Sequence, residues 1–346
     1  MGLLNKAASF TVLKSKGDAP LLADIKKVLS NAPHKDITGT SEKEHFSVCS
    51  ISDVFVNKIQ QSDVILAFGV RWDKKTISKS QYKKLFKEEM QKLRKERKGT
   101  KLKITKEDKL LIKANVEGAL YAEAKPVEKL IEVLWDTTGT LYVGVTSNKI
   151  LDSVILLLIR LFEDLELKSW SPLDVKTKHS DVKSSRENVW NGFFTWIFYE
   201  TRKKEKDKPI WVPGNITFSK NESSVTLKGD TDISMEVWTS VLSSKLVNTL
   251  DLGYEVDKEH QYQVTLSVGS WAFKQLKIAP EIRHESPESA IFERVQSFKQ
   301  FIDKFTQLVK QYESVRNDDK QDKVFWDSLS DLASVKIKNE IGGMLS

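Results

Sequence analysis

Short apolar runs alternate with charged stretches of helical spacing along this chain, and that pattern predicts most of its elements. The run from Asp63 to Trp72 is apolar, short and rich in β-branched and aromatic residues, as in a buried strand. A helix follows. Ser78 or Ser80 can cap it, Tyr82, Leu85, Phe86, Met90 and Leu93 recur at three-to-four spacing, and Gly99 is placed to end it. Thr105 to Asp108 resembles a capping box with Asp in place of Glu, opening a second helix with Leu110, Leu111, Ala114 and Tyr121 on one face. The two read as a helical hairpin joined by the basic connection Lys98–Thr105.

Beyond Pro126, Leu130–Trp135 and Gly139–Thr146 read as paired strands joined by the turn Asp136–Gly139. Asn148–Leu167 is apolar around most of a helix, which predicts burial between layers or at a subunit interface. Residues Trp170–Glu187 read as a loop and Arg202–Lys208 as a linker. Strands are expected around Val225–Gly229 and Tyr262–Val268, with Gly269-Ser270 turning into Trp271–Ile278. Helical spacing marks Ser234–Leu250 and Ser289–Tyr312, with a weaker amphipathic segment at Val324–Ile341. Earlier, Leu21–Leu29 is amphipathic and Phe46–Ile51 alternates like a strand. The expected class is α+β, with mixed or antiparallel sheets and packed helices.

Charge changes the picture once it is located. The 346 residues carry 55 Lys and Arg against 48 Asp and Glu, a net charge of only +7. Residues 71–113 alone hold 17 bases and 6 acids, a surplus of eleven, and the rest of the chain is net negative by four. Six acids cannot neutralise seventeen bases, so the leftover charges repel one another unless a polyanion offsets them. Nucleic acid is the expected partner. The candidate contacts are Lys75, Lys79, Lys83, Lys84, Lys87, Arg94, Arg97, Lys98, Lys101, Lys103 and Lys109.

Catalytic constellations are scarce. The five histidines, His34, His45, His179, His260 and His284, are dispersed, and no two stand four residues apart as a helical zinc pair requires. Phosphate-binding glycine loops and a nucleophile elbow are missing as well. The single Cys49 cannot form an internal disulfide and reads as a buried, inert thiol, which with the lack of a signal-peptide pattern suits an intracellular chain. The apolar run Val154–Ile159 is far short of the ~20 residues that span a bilayer, so no membrane role is expected. Asp318-Asp319 and Asp230-Thr-Asp232 are the closest carboxylate clusters, and a metal-dependent nuclease built on distant carboxylates is the alternative reading. No metal or cofactor is expected. The aromatic block at 190–199, with Trp190, Phe193, Phe194, Ile197 and Phe198 on one helical face, reads as packed core in preference to a base-stacking platform.

The order of these parts resembles the RdgC family of bacterial recombination-associated DNA-binding proteins. The matching residues are Lys75-Thr-Ile77 after the strand, the helix through Met90 and Leu93, Gly99-Thr-Lys101, Lys106–Lys109 with Ile112-Lys113, and Asp136–Gly139 leading into Leu141–Val143. Phe194-Thr-Trp196 and Phe273–Lys277 add weaker support. The likeness is best from about 63 to 165 and negligible in the first fifty residues. It implies a non-enzymatic protein of horseshoe-shaped subunits that close into a ring-shaped homodimer around double-stranded DNA. That dimer would be cytoplasmic and nucleoid-associated, and would restrain RecA-promoted strand exchange. It maps the basic connection onto Lys98, Lys101 and Lys103 and a finger-segment lysine onto Lys245. Three positions depart from the family pattern: Ser78 replaces a proline, Asp230-Thr231 a lysine-glutamine pair, and Lys125 a phenylalanine of one dimer contact. On this reading the chain divides into 1–62, the N-terminal part of the core domain; 63–168, the hairpin, strand pair and buried helix; 169–285, the aromatic helix, finger and C-terminal hairpin; and 286–346, the C-terminal helices.

Overall fold

The computed structural model describes residues 3, 7–16, 21–32, 34–49, 60–61, 65–98, 103–162, 165–171, 192–194, 196–197, 210–220, 223–227, 246–255, 261–267, 272–279, 287–318, 320 and 327. In chain order these form β1 (Ala7–Ser15), α1 (Leu22–Ser30), β2 (Glu44–Cys49), β3 (Gln60–Gln61), β4 (Ile65–Lys74), α2 (Lys79–Glu96), α3 (Lys106–Glu123), β5 (Val127–Asp136), β6 (Thr140–Val143), α4 (Asn148–Leu161) and β7 (Leu167–Ser169). There follow β8 (Ile210–Lys220), β9 (Ser223–Leu227), β10 (Leu246–Glu255), β11 (Gln261–Ser267), β12 (Ala272–Ala279) and α5 (Pro287–Asn317).

Among the described residues, the twelve strands join one sheet in the order β2-β4-β5-β6-β1-β12-β11-β10-β8-β9, with β3 beside β4 and β7 beside β1. Each pairing is antiparallel. The α+β class is therefore what the chain forms. Strand β1 stands at the centre, paired with β12 through Ala7–Thr11 and with β6 through Thr11–Lys14.

Because successive side chains of a strand point to opposite faces, the sheet feeds two cores. Ile65 and Ala67 of β4 pack with Phe10, Phe273 and the α5 residues Phe298, Phe301 and Phe305 on one face. Leu66, Phe68, Val70 and Trp72 pack on the other with Ile25 and Leu29 of α1 and with Leu151, Val154 and Leu158 of α4. The described aromatics of the 190–199 block, Phe193, Phe194 and Trp196, are buried in the α5 core together with Ile197, as the core reading expected; Trp190 and Phe198 lie outside the described residues.

The expected pairing of β5 with β6 is present, Val133 opposite Val143 and Trp135 opposite Leu141. Asp136 shapes its turn. One carboxylate oxygen accepts from the Thr138 amide (2.8 Å), the Thr138 hydroxyl (2.6 Å) and the Thr140 amide (3.0 Å), and Gly139 takes φ 77°. The other oxygen lies 3.0 Å from Lys299 Nζ, so a charge contact ties this turn to α5.

Three expectations need correction. Helix α4 stops at Leu161, not Leu167, and Leu167–Ser169 is strand β7. It also buries only the Leu151, Val154, Leu158 stripe and leaves Leu156 (54%) and Ile159 (37%) exposed, so it covers one face of the sheet and does not lie between layers. Leu246–Leu250, expected in a helix, belongs to β10, where Leu250, Leu252 and Tyr254 alternate into the core; residues 234–245 lie outside the described ones. The deciding signal there is the period of two after Thr249, which helical spacing at Val237–Leu246 obscures. The segment 324–341 is outside the described residues apart from Asp327.

Candidate nucleic-acid interface

Strands β4 and β5 are adjacent and antiparallel, with Lys74 opposite Val127 at their shared end. Helices α2 and α3 are inserted there and pack chiefly on each other, forming an arm that leaves the end of the sheet. At 1.5 Å per residue, the 18 residues of α2 give it a length of about 27 Å. Ser78 caps α2 by accepting from the Gln81 amide.

The root of the arm is fixed by a lysine that the sequence suggested for DNA. Lys75 is 2% exposed, and its Nζ donates to the backbone carbonyls of Thr40 (2.7 Å) and Tyr121 (2.8 Å). A side chain so enclosed cannot reach phosphate, and Lys75 is removed from the interface. Beside it, Lys43 pairs with Glu117 at 3.2 Å and lies 5.1 Å from the Tyr121 ring centroid. Replacing Lys75 with Met leaves both carbonyls without this donor, and a loss of about 1–3 kcal/mol is expected in urea unfolding. A loss below about 0.5 kcal/mol would mean that water satisfies the carbonyls and the lysine is dispensable.

The tip is equally well held. Thr105 and Asp108 form the expected capping box: the Thr105 hydroxyl accepts from the Asp108 amide, and the Asp108 carboxylate accepts from the Thr105 amide. Arg97 joins them by donating through both terminal nitrogens to Asp108, at 2.7 and 2.8 Å, and to the Lys103 carbonyl at 2.9 Å. Its donors are committed to closing the tip, so Arg97 positions the interface and is not an open contact. Hydrogen bonds from Arg97, then from Thr105, hold the Asp108 carboxyl at about 2. The pair's contribution is complete above the ordinary carboxylate value and is lost as pH falls toward 2. An NMR titration of the Asp108 carboxyl carbon is expected to show its midpoint near 2; a midpoint near 4 would mean that the bridge does not form in solution.

Between root and tip, the remaining bases are open. Among the described residues, Lys79, Lys83, Lys84, Lys87, Arg94, Lys98, Lys103 and Lys109 are exposed with no carboxylate within 4.0 Å. Lys95 and Lys106 share this property, and although sequence reasoning missed them, the same helical spacing could have found them. Lys101 and Lys245 lie outside the described residues. At 100° per residue, Lys83, Lys87 and Arg94 of α2 fall within about 40° of arc, on a flank separate from Glu88, Glu89 and Glu96, and Lys98 follows just past the helix's C-cap at Arg97. On the acids' side, Glu89 pairs with Lys92 at 2.6 Å. From Lys83 to Arg94 the stripe extends about 16 Å along the helix.

The apolar face expected of α3 is corrected. Val116 and Leu120 are its buried residues, whereas Leu110 and Leu111 are 56% and 62% exposed. On β2, burial pushes the Cys49 thiol up to about 11, which suits an inert residue. No group of three or more His, Cys, Asp or Glu that could hold a metal occurs among the described residues, and no described helix is long and apolar enough to cross a membrane. No protein-family model and no curated protein matches this chain.

Proposed function

We propose that the chain binds duplex DNA without sequence preference through the α2–α3 arm. The observation that carries this reading is the stripe Lys83, Lys87 and Arg94 of α2, continued by Lys98 just past its end, exposed, with no carboxylate within 4.0 Å and segregated from the acids of the helix. Lysine and arginine contacts to phosphate hold a protein on the duplex without carrying sequence information, which is read at base edges in the grooves. A duplex carries one charge per ~1.7 Å of axis, so a stripe of about 16 Å on the helix matches a dense row of phosphates.

The resemblance of the motif order to the RdgC family extends the proposal to a ring-shaped homodimer that occupies the duplex and modulates RecA-type recombination. Mobility shifts of the purified chain on linear and closed-circular duplex, across salt, test the binding; mass measurement of the oligomer tests the dimer. With four to ten phosphates neutralised, log K against log salt should fall with a slope between about −4 and −9. A slope near zero would exclude the arm as a phosphate-binding surface. Shortened DNA after incubation with Mg²⁺ would favour a nuclease.

A further inference from the structure

Helix α4 has a second apolar face that the sheet does not use. Its buried stripe, Leu151, Val154 and Leu158, packs on the sheet. On the outer side Leu156 is 54% and Ile159 37% exposed, with Ile155 half-buried beside Ile159. Two apolar faces are the reason that the sequence reads as apolar around most of the helix. Asp152 stands one turn before Leu156 and Arg160 one turn after it, so the three make a row at i, i+4 and i+8. Both charged residues are exposed, and neither has an ion-pair partner within 4.0 Å among the described residues. Lys149, the other cation on this side, reaches back to Glu44 of β2 at 3.8 Å.

We propose that the outer face of α4 docks, antiparallel, on the same face of a second copy of this chain, about a two-fold axis at Leu156. In such a contact, residue i of one copy meets residue j of the other and j meets i. With Leu156 on the axis, Asp152 of each copy meets Arg160 of the other, because the two stand four positions from Leu156 on opposite sides. The row is therefore complementary to itself, and the two ion pairs flank an apolar centre of Leu156 and Ile159. Rows at i±4 are also the ridges by which helices most often interdigitate, at a crossing of about 50°. A phosphate surface, whether nucleic acid or anionic membrane, would be repelled by Asp152 beside the leucine; a second copy matches the charge at both ends of the row. This contact gives the proposed homodimer a surface, and it is carried by α4 alone, independently of the basic arm.

Sedimentation velocity of the full chain without DNA, from about 1 to 100 μM, tests the contact; a single helix pair is a small interface, so association in this range is expected. D152R and R160D each replace two opposite-charge pairs with two like-charge pairs, and each should weaken association by about tenfold or more. The double swap D152R/R160D restores both pairs with reversed sign and should return the dissociation constant to within about threefold of the original. L156E should abolish association. All three positions are exposed, so the melting temperature of the monomer should stay the same in every variant. A chain that stays monomeric throughout the range would overturn the proposal. So would a dimer that survives D152R, R160D and L156E, or single variants that the double swap does not rescue. Because no DNA is present, a monomeric result leaves the duplex-binding reading standing, and failure of the chain to shift duplex DNA leaves the α4 result unchanged.

Discussion

Changing Lys83, Lys87, Arg94 and Lys98 together to Ala is expected to lower duplex affinity about a thousandfold near 0.1 M salt and to reduce the salt slope by about 3.6, at ~0.9 for each phosphate no longer neutralised. Lys83, Lys87 and Arg94 lie on one flank of α2 and Lys98 just past its end; all four are exposed and have no ion-pair partner among the described residues, so their removal leaves the arm's packing intact. Ala is also the strongest helix former, and the melting temperature should not fall. The control places the same change of charge elsewhere: Lys14, Lys149, Lys168 and Lys304 lie on β1, α4, β7 and α5, away from the arm. Their replacement by Ala should leave the slope within about 1 of the unaltered protein's. If both quadruple variants lose affinity alike, net charge and not the arm governs binding, and the interface is misplaced. Retained affinity in the arm variant together with a vanished slope is not compatible with the proposal either, because both quantities report the same phosphate interactions.

Local signals made the arm legible. A Ser before a three-to-four apolar spacing, and Thr105 three residues before Asp108, are instructions read by a few neighbouring residues, and both caps are where the spacing puts them. The turn at Asp136 is legible for the same reason. Roles that depend on distant chain were not. Lys75 looks like any other base in a run of bases, and only the arrival of Thr40 and Tyr121 carbonyls makes it an anchor. Arg97 is one of several cations near the tip until Asp108, eleven positions on, claims both its terminal nitrogens. Leu110 and Leu111 fit a helical apolar face by spacing, but the side with Val116 and Leu120 is the one that is buried, and hydrophobicity alone does not say which of two stripes is covered. Strand β10 was missed because its first residues continue the three-to-four spacing of the segment before it.

The first sixty residues, chemically featureless as sequence, contain the strand on which both halves of the sheet depend, and Phe10→Ala should expose this. Phe10 is 0% exposed in β1, with ring centroids 4.5 Å from Phe298 of α5, 5.3 Å from Phe273 of β12 and 6.1 Å from Tyr142 of β6. It thus touches both strands that flank β1 and the helix that covers them. Truncation removes the apolar burial and leaves a cavity among aromatic rings held by a sheet and a long helix, a site with little freedom to collapse. A loss of about 3–5 kcal/mol is expected, against a total stability of about 5–15 kcal/mol for a typical folded protein. Urea unfolding should show a lower midpoint with an unchanged slope, since the native and unfolded surfaces are nearly the same. Phe10→Leu keeps most of the volume and should cost about half as much. A loss below about 1 kcal/mol for Phe10→Ala would mean that the two halves hold together without β1, and the central position of this strand would then be a matter of topology and not of energy.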